Sequence, residues 1–180
     1  MSDSDIDYTY PSDEEDDDNV VDDSLIRALN LAKNGFHEAE NIKDDAYTSI
    51  NILEKNIGGD ISIESIWIFK SLESLIRRHF KIHSFNKMAE YYQSLLDYIT
   101  KFPSMISIND VSRTIDEVIT MISRESFVDS SMKLELFDKT FLFLHAYQVL
   151  PQKFWFDLKY QCGCICQEEL FLTRVISELD

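Results

Sequence analysis

The spacing of apolar residues predicts helices along most of the chain. From about residue 24 onward, apolar residues recur three and four positions apart, as one face of a helix with 3.6 residues per turn requires. We expect eight helices, over residues 25–34, 37–56, 62 or 65 to 82, 85–102, 110–123, 130–147, 153–166 and 168–179.

Helix breakers and capping residues set the expected boundaries of these helices. Gly35 is expected to end the first helix in the left-handed conformation, and the pair Gly58-Gly59 is expected to end the second. Pro103 and Pro151 separate later helices, because proline cannot continue a helix. The expected N-terminal caps are Ser24, Ser84, Asn109 and Asp129 or Ser130, and the third helix is expected to begin near Ser62 or Ser65.

Long helices with short connections predict an all-α fold of stacked antiparallel helix pairs. The pairs recur about every 40 residues, which lies in the range of TPR-like helical-repeat solenoids. With only 4 Gly and 3 Pro in 180 residues, the chain has too few turn-forming residues for an all-β sandwich or barrel. Stacked pairs bury a continuous core and present a broad surface to partners. Binding is therefore the expected function.

The charge divides the chain into two parts. The protein has 33 Asp and Glu against 17 Lys and Arg, and residues 1–23 hold 11 of the acids and no base. A segment this acidic repels itself and has little apolar surface to bury. We therefore expect a disordered tail over 1–23 and a helical-repeat domain over 24–180. Ser12, which three acids follow, is a candidate phosphorylation site within the tail; an unmodified solubilising tail is the alternative.

The remaining charge and the apolar runs exclude several classes of partner. Residues 24–180 carry 22 acids and 17 bases, so a broadly basic surface for nucleic acid is not expected. No apolar run approaches the roughly 20 residues that a membrane-spanning helix needs. The acidic N-terminus also lacks the pattern of a signal peptide. We expect a soluble intracellular protein without a membrane partner.

Basic residues gather on one side of the third predicted helix. At about 100° per residue, Lys70, Arg77 and Lys81 fall within about 40° of one another, and Arg78 flanks them. They lie roughly opposite the apolar stripe of the same helix, which consists of Phe69, Leu72, Ile76 and Phe80. This cationic strip could receive an acidic partner or a polyphosphate. The alternative is that these side chains only solvate the outer face of the helix.

Two other groups of residues are candidates for a metal or catalytic site. His79 and His83 have the four-residue spacing of a zinc-binding pair, but no third ligand is evident. Three cysteines lie within five residues, namely Cys162, Cys164 and Cys166. They fit free thiols at a helix contact better than a four-ligand zinc site or a nucleophile. Nucleotide-binding loops are also missing from the sequence, and we expect no enzyme, no metal and no resident cofactor.

Several motifs in the helical part suggest a family. The third helix carries Trp-x-Phe-Lys at residues 67–70, and the fourth carries Met-x-x-x-Tyr-x-x-Leu-Leu-x-Tyr-Ile at residues 88–99. Residues 107–123 and the Phe154-Trp155-Phe156 run before Gly163 continue the pattern. With the acidic opening, these motifs resemble the N-terminal helical-repeat region of the COP9 signalosome subunit 2 family and, more distantly, a lid subunit of the proteasome regulatory particle. The resemblance spans most of residues 40–166.

The resemblance implies a non-catalytic scaffold subunit whose N-terminal arm holds a cullin–RING ligase during cullin deneddylation. It implies other signalosome subunits as partners, a cytoplasmic and nuclear location, and basic residues that hold inositol hexakisphosphate at the cullin interface. Lys70 matches a lysine with that role, so Lys70, Arg77, Arg78 and Lys81 are the candidate binding residues. A proteasome-lid-type structural subunit or a free-standing helical-repeat adaptor is the alternative.

Members of this family are more than twice as long and end in a winged-helix PCI domain. We expect the PCI domain to be absent here and the helical array to be incomplete at its C-terminal end. The last predicted helix, residues 168–179, still carries an apolar face. We expect that face to be exposed unless a partner covers it.

Overall fold

The computed structural model describes residues 23–58, 63–147, 154 and 156–167. Six helices have the bounds α1 Asp23–Asn41, α2 Ala46–Gly58, α3 Ile66–Lys81, α4 Phe85–Lys101, α5 Ile108–Arg124 and α6 Ser130–Tyr147. Residues 156–167 form a seventh helix, α7. These ranges contain no strand, which confirms the all-α prediction. The acidic tail and the eighth predicted helix lie outside the described residues.

The helices pack as successive antiparallel pairs, α1 with α2, α3 with α4 and α5 with α6. Helices α1, α3 and α5 form one layer, in which α3 packs against both α1 and α5, and helices α2, α4 and α6 form the second layer. In the second layer, α4 contacts α6, and the Tyr91 hydroxyl of α4 donates a 2.7 Å hydrogen bond to Glu54 of α2. The predicted stack of helix pairs is confirmed. Among the described helices, none is both long and apolar enough to cross a bilayer.

Helix α3 is the centre of the core. It packs against four other helices, α1, α2, α4 and α5, and nine of its 16 residues are buried. The buried set is Ile68, Phe69, Ser71, Leu72, Glu73, Ser74, Leu75, Ile76 and His79. On the side opposite the apolar stripe, α1 and α5 supply carboxylates to Arg78 and Arg77, while Arg77 and Lys81 remain exposed.

Buried tyrosine hydroxyls connect α4 to the start of α3 and to α6. The Tyr98 hydroxyl accepts a 2.8 Å hydrogen bond from the Ser65 amide and lies 2.9 Å from the carbonyl oxygens of Ile63 and Ser65. The Tyr92 hydroxyl lies 2.7 Å from Thr140 Oγ1 and connects α4 to α6. Buried polar groups without partners are costly, so these bonds favour one register between the pairs.

The first two helix boundaries differ from the prediction. Helix α1 continues through Gly35 to Asn41. Gly35 lies where α1 contacts α2 and does not form a C-terminal cap. A Cβ atom at Gly35 would lie 2.8 Å from Asn56 Oδ1, and the Asn56 amide donates a 2.8 Å bond to the Ala32 carbonyl. Helix α2 then begins at Ala46, where Asp45 Oδ1 accepts a 3.0 Å bond from the Thr48 amide.

The caps of the later helices agree with the prediction in part. Ser65 caps α3, with its hydroxyl accepting a 3.3 Å bond from the Trp67 amide. Ser84 precedes α4 but makes no capping hydrogen bond. The cap of α5 is Ser107 and not Asn109, since Ser107 Oγ accepts a 3.1 Å bond from the Asp110 amide.

Candidate anion-binding groove

A groove of about 360 Å³ lies where the C-terminal end of α1 meets the second half of α3. Four basic residues and one acidic residue line it, together with a serine and an isoleucine: Lys43, Arg77, Arg78, Lys81, Glu40, Ser74 and Ile42. Three of the four residues of the predicted cationic strip therefore meet at one place. We refer to it as the basic groove.

Arg78 is the most firmly held cation of the basic groove. Its guanidinium donates to Glu40 Oε1 at 3.1 Å, to the Ala39 carbonyl at 3.1 Å and to Ser74 Oγ at 3.2 Å. Burial opposes the ionisation of Glu40, but hydrogen bonds from Ser74 and Arg78 outweigh it and hold the pKa of Glu40 below its usual value. Arg78 thus joins α3 to the end of α1.

Arg77 connects α3 to the helix on its other side. Its guanidinium donates a 2.8 Å hydrogen bond to Glu117 of α5 and lies 3.7 Å from Glu73. Arg113 lies 3.1 Å from Glu117 and 3.6 Å from Glu73. Burial raises the pKa of Glu117, but the two arginines lower it by more, so the net shift is downward. Glu73 is buried and also accepts a hydrogen bond from Thr114.

Lys43 and Lys81 supply the uncompensated charge of the basic groove. Both side chains belong to exposed residues, and neither forms an ion pair with the residues that the structure describes. Two ammonium groups beside two arginine side chains are suited to an anionic ligand with several charges, because each can donate a charge-assisted hydrogen bond.

Lys70 lies apart from the basic groove. It precedes Arg77 by seven residues, or about 10 Å along the helix axis, and is only partly exposed. Its ammonium group lies 4.7 Å from the centroid of the Trp67 ring, where a cation is attracted to the π face. The structure thus divides the predicted strip into Lys70 beside Trp67 and a cluster of Arg77, Arg78 and Lys81.

Among the four basic residues of the groove, Lys43 is the one that the sequence did not indicate. It follows α1 in the short connection to α2, a stretch predicted to lie inside a continuous helix over 37–56. Its place beside Lys81 depends on α1 packing against α3, and no local pattern reports that contact.

His79 and His83 do not form a metal-binding pair. His79 is buried in α3, where its ring stacks on Tyr91 at 5.2 Å between centroids. His83 lies beyond the end of α3 with φ 56°, and its ring contacts Phe85 and Phe127. Within the described ranges, no group of three or more His, Cys, Asp or Glu residues could hold a metal ion.

His79 is expected to make stability depend on pH. Among the described residues its ring nitrogens have no hydrogen-bond partner, and Nε2 lies 3.7 Å from Glu54. Burial lowers the pKa of His79 although the Glu54 carboxylate opposes the shift, with Lys87 and Glu90 as weaker influences. The unfolded state therefore binds the proton first, and stability falls as the pH drops below about 6.5.

His79→Phe is expected to reduce this pH dependence by up to one proton between pH 7 and pH 5. Urea unfolding at several pH values measures the slope. His83→Phe makes the same substitution at an exposed histidine, and the change of slope in His79→Phe is judged against it. An unchanged slope in His79→Phe would contradict the assignment.

The cysteines of α7 are free thiols. Cys162 and Cys166 are half-buried and Cys164 is exposed. Burial, with a contribution from Cys166, raises the pKa of Cys162 to about 11. A thiol of such high pKa is protonated near neutral pH and is a poor nucleophile.

Comparison with known proteins gives one partial similarity. No family model matches the chain, and no solved structure gives a significant match. The chain is 28% identical over 109 residues to COP9 signalosome complex subunit 2 from Dictyostelium discoideum. The alignment covers 60% of this chain but 24% of that protein, so the chain spans about a quarter of the relative's length. These figures support a distant relation to a signalosome subunit.

Proposed function

We propose that this protein is a non-catalytic scaffold subunit of a COP9 signalosome-like complex. The observation that carries the proposal is the similarity to COP9 signalosome complex subunit 2 over 109 residues. The stacked helix pairs support it, because such stacks offer extended surfaces for partners. The partners in this proposal are other signalosome subunits and a cullin–RING ligase, in the cytoplasm and the nucleus.

The layer that contains α1, α3 and α5 is the proposed cullin-binding face. Its candidate contacts are Lys70 beside Trp67 and the three basic residues Arg77, Arg78 and Lys81 of the basic groove, where Lys43 joins them. Inositol hexakisphosphate is the proposed interfacial ligand, since its phosphates would pair with the ammonium groups of Lys43 and Lys81, which form no ion pair within the described ranges. Arg77 and Arg78 already pair with carboxylates and would add a weaker contribution.

The test is binding of the 180-residue chain to a recombinant cullin–RING pair, with and without inositol hexakisphosphate. We expect the polyphosphate to strengthen binding. Lys81→Glu should weaken the polyphosphate-dependent binding about tenfold or more, as expected for the loss of a hydrogen bond between charged groups. Lys70→Glu reports separately on the site beside Trp67.

Lys101→Glu is the matched control, because it makes the same charge change at an exposed residue at the end of α4. Each variant must retain the parent's circular dichroism. Equal binding by the parent, Lys81→Glu and Lys70→Glu would contradict the proposed interface.

Purification of the tagged chain from native extract tests the wider assignment. Signalosome subunits in the purified material would support the proposal. A proteasome lid in their place, or no large complex, would favour the lid-type subunit or the free-standing adaptor.

A further inference from the structure

The basic groove is surrounded by a chain of opposite charge. It presents Lys43 and Lys81 without carboxylate partners among the described residues, while the whole protein has a formal net charge of −16. Residues 1–22 contain ten carboxylates and no lysine, arginine or histidine. Such a segment carries the chemistry that the groove is suited to bind, namely several anionic groups in succession.

The covalent connection brings this segment within reach of the basic groove. Helix α1 begins at Asp23 and ends beside the groove, and the 17 residues from Asp23 to Glu40 span about 26 Å. Residue 7 lies 16 residues before Asp23, and a chain of that length can extend over about 50 Å. Residues 16–18 lie five to seven residues before Asp23, a length of chain that extends at most about 25 Å. The acids at positions 3, 5 and 7 are therefore within reach of the basic groove, whereas those at 16–18 fall short of it.

We propose that the acidic segment 1–22 binds back along α1 into the basic groove and competes there with external anions. This inference rests on the proposed function, because the acidic segment regulates the same binding site. A polyphosphate or an acidic partner must then displace the segment, which acts as a tethered competitor. The binding surface would be least available when the segment carries its full charge.

Carbodiimide cross-linking of the 180-residue chain tests the contact directly, because the reagent joins an ammonium group to a carboxylate only when the two touch. We expect amide bonds from Lys43 or Lys81 to carboxylates between Asp3 and Glu15, detected by mass spectrometry in the monomer fraction. Lys55 and Lys101, which are exposed on α2 and α4, serve as internal controls. Mixing ¹⁵N-labelled and unlabelled chains distinguishes bonds within one chain from bonds between two.

A pair of variants tests the competition with inositol hexakisphosphate as the probe. D3N/D5N/D7N and D16N/D17N/D18N each remove three charges, so they change the net charge of the protein equally. We expect D3N/D5N/D7N to bind the probe about twofold more tightly than the parent, as expected when a competitor with a millimolar dissociation constant is tethered at millimolar effective concentration. D16N/D17N/D18N should gain less. At about 1 M salt the Debye length is near 3 Å, and the difference in probe affinity between the two triple variants should vanish.

The outcomes separate this inference from the proposed function. Intrachain cross-links to Lys43 or Lys81 support the inference even if no cullin–RING ligase binds. Absence of those bonds, cross-links only between two chains, or equal spread of the bonds over Lys55 and Lys101 would overturn it. Equal gains in probe affinity by the two triple variants would also overturn it, because they would indicate general charge repulsion.

Discussion

Leu72→Ala is expected to lower the free energy of unfolding by about 2–5 kcal/mol, the range for removing a buried leucine side chain. Leu72 is completely buried in α3, the helix that packs against α1, α2, α4 and α5. The lost contacts would leave a cavity in the helix that packs against four others, and a closely packed core relaxes only partly around such a cavity. The loss should therefore affect the whole helical stack and not one pair.

Urea unfolding followed by circular dichroism measures the effect of Leu72→Ala. Leu142→Ala is the matched control, because Leu142 is 72% exposed on α6 and its truncation should change stability by less than about 0.5 kcal/mol. Equal losses in the two variants would show that α3 is not the centre of the core.

Glu73→Ala is expected to lower the free energy of unfolding by about 1–3 kcal/mol, because it leaves the buried Thr114 hydroxyl without its carboxylate acceptor. Glu73 is also the shared neighbour of Arg77 and Arg113, at 3.7 and 3.6 Å. Both arginines are well exposed, so solvent screens their part of the loss. The result would show how far the contact between α3 and α5 depends on one buried carboxylate.

Glu117→Ala is the control for Glu73→Ala, since Glu117 contacts the same two arginines but is 42% exposed. Its loss should amount to about 0–1 kcal/mol and should shrink in high salt. The loss in Glu73→Ala should persist in about 1 M salt, because a buried hydrogen bond is little screened. Loss of the Glu73→Ala effect in salt would contradict a role in burial and hydrogen bonding.

The helices were largely predictable because their signals are local. Apolar spacing predicted α3 to α6 within a few residues, and Ser65, one of the two expected starts of α3, is its N-terminal cap. The first two helices were misplaced because Gly35 resembles a helix end in the sequence. Its actual constraint is the approach of Asn56 from another helix, which is a tertiary contact that no local signal contains.

The candidate site was predictable in composition but not in arrangement. Helical geometry alone placed Lys70, Arg77 and Lys81 on one face of α3. It could not show that Arg77 pairs with Glu117 of α5 or that Arg78 pairs with Glu40 of α1. Those partners are 40 and 38 residues away in the chain.

The sequence by itself determined the helical class, the pairing of helices and the row of cations on α3, because hydrophobic periodicity and the 100° turn per residue are properties of a single helix. The tertiary structure decided which cations are free. The packing of α1 and α5 against α3 supplies carboxylates to Arg77 and Arg78, leaves Lys81 without an ion pair among the described residues and adds Lys43 beside it. An ion pair depends on which helices become neighbours, and that is a property of the whole stack.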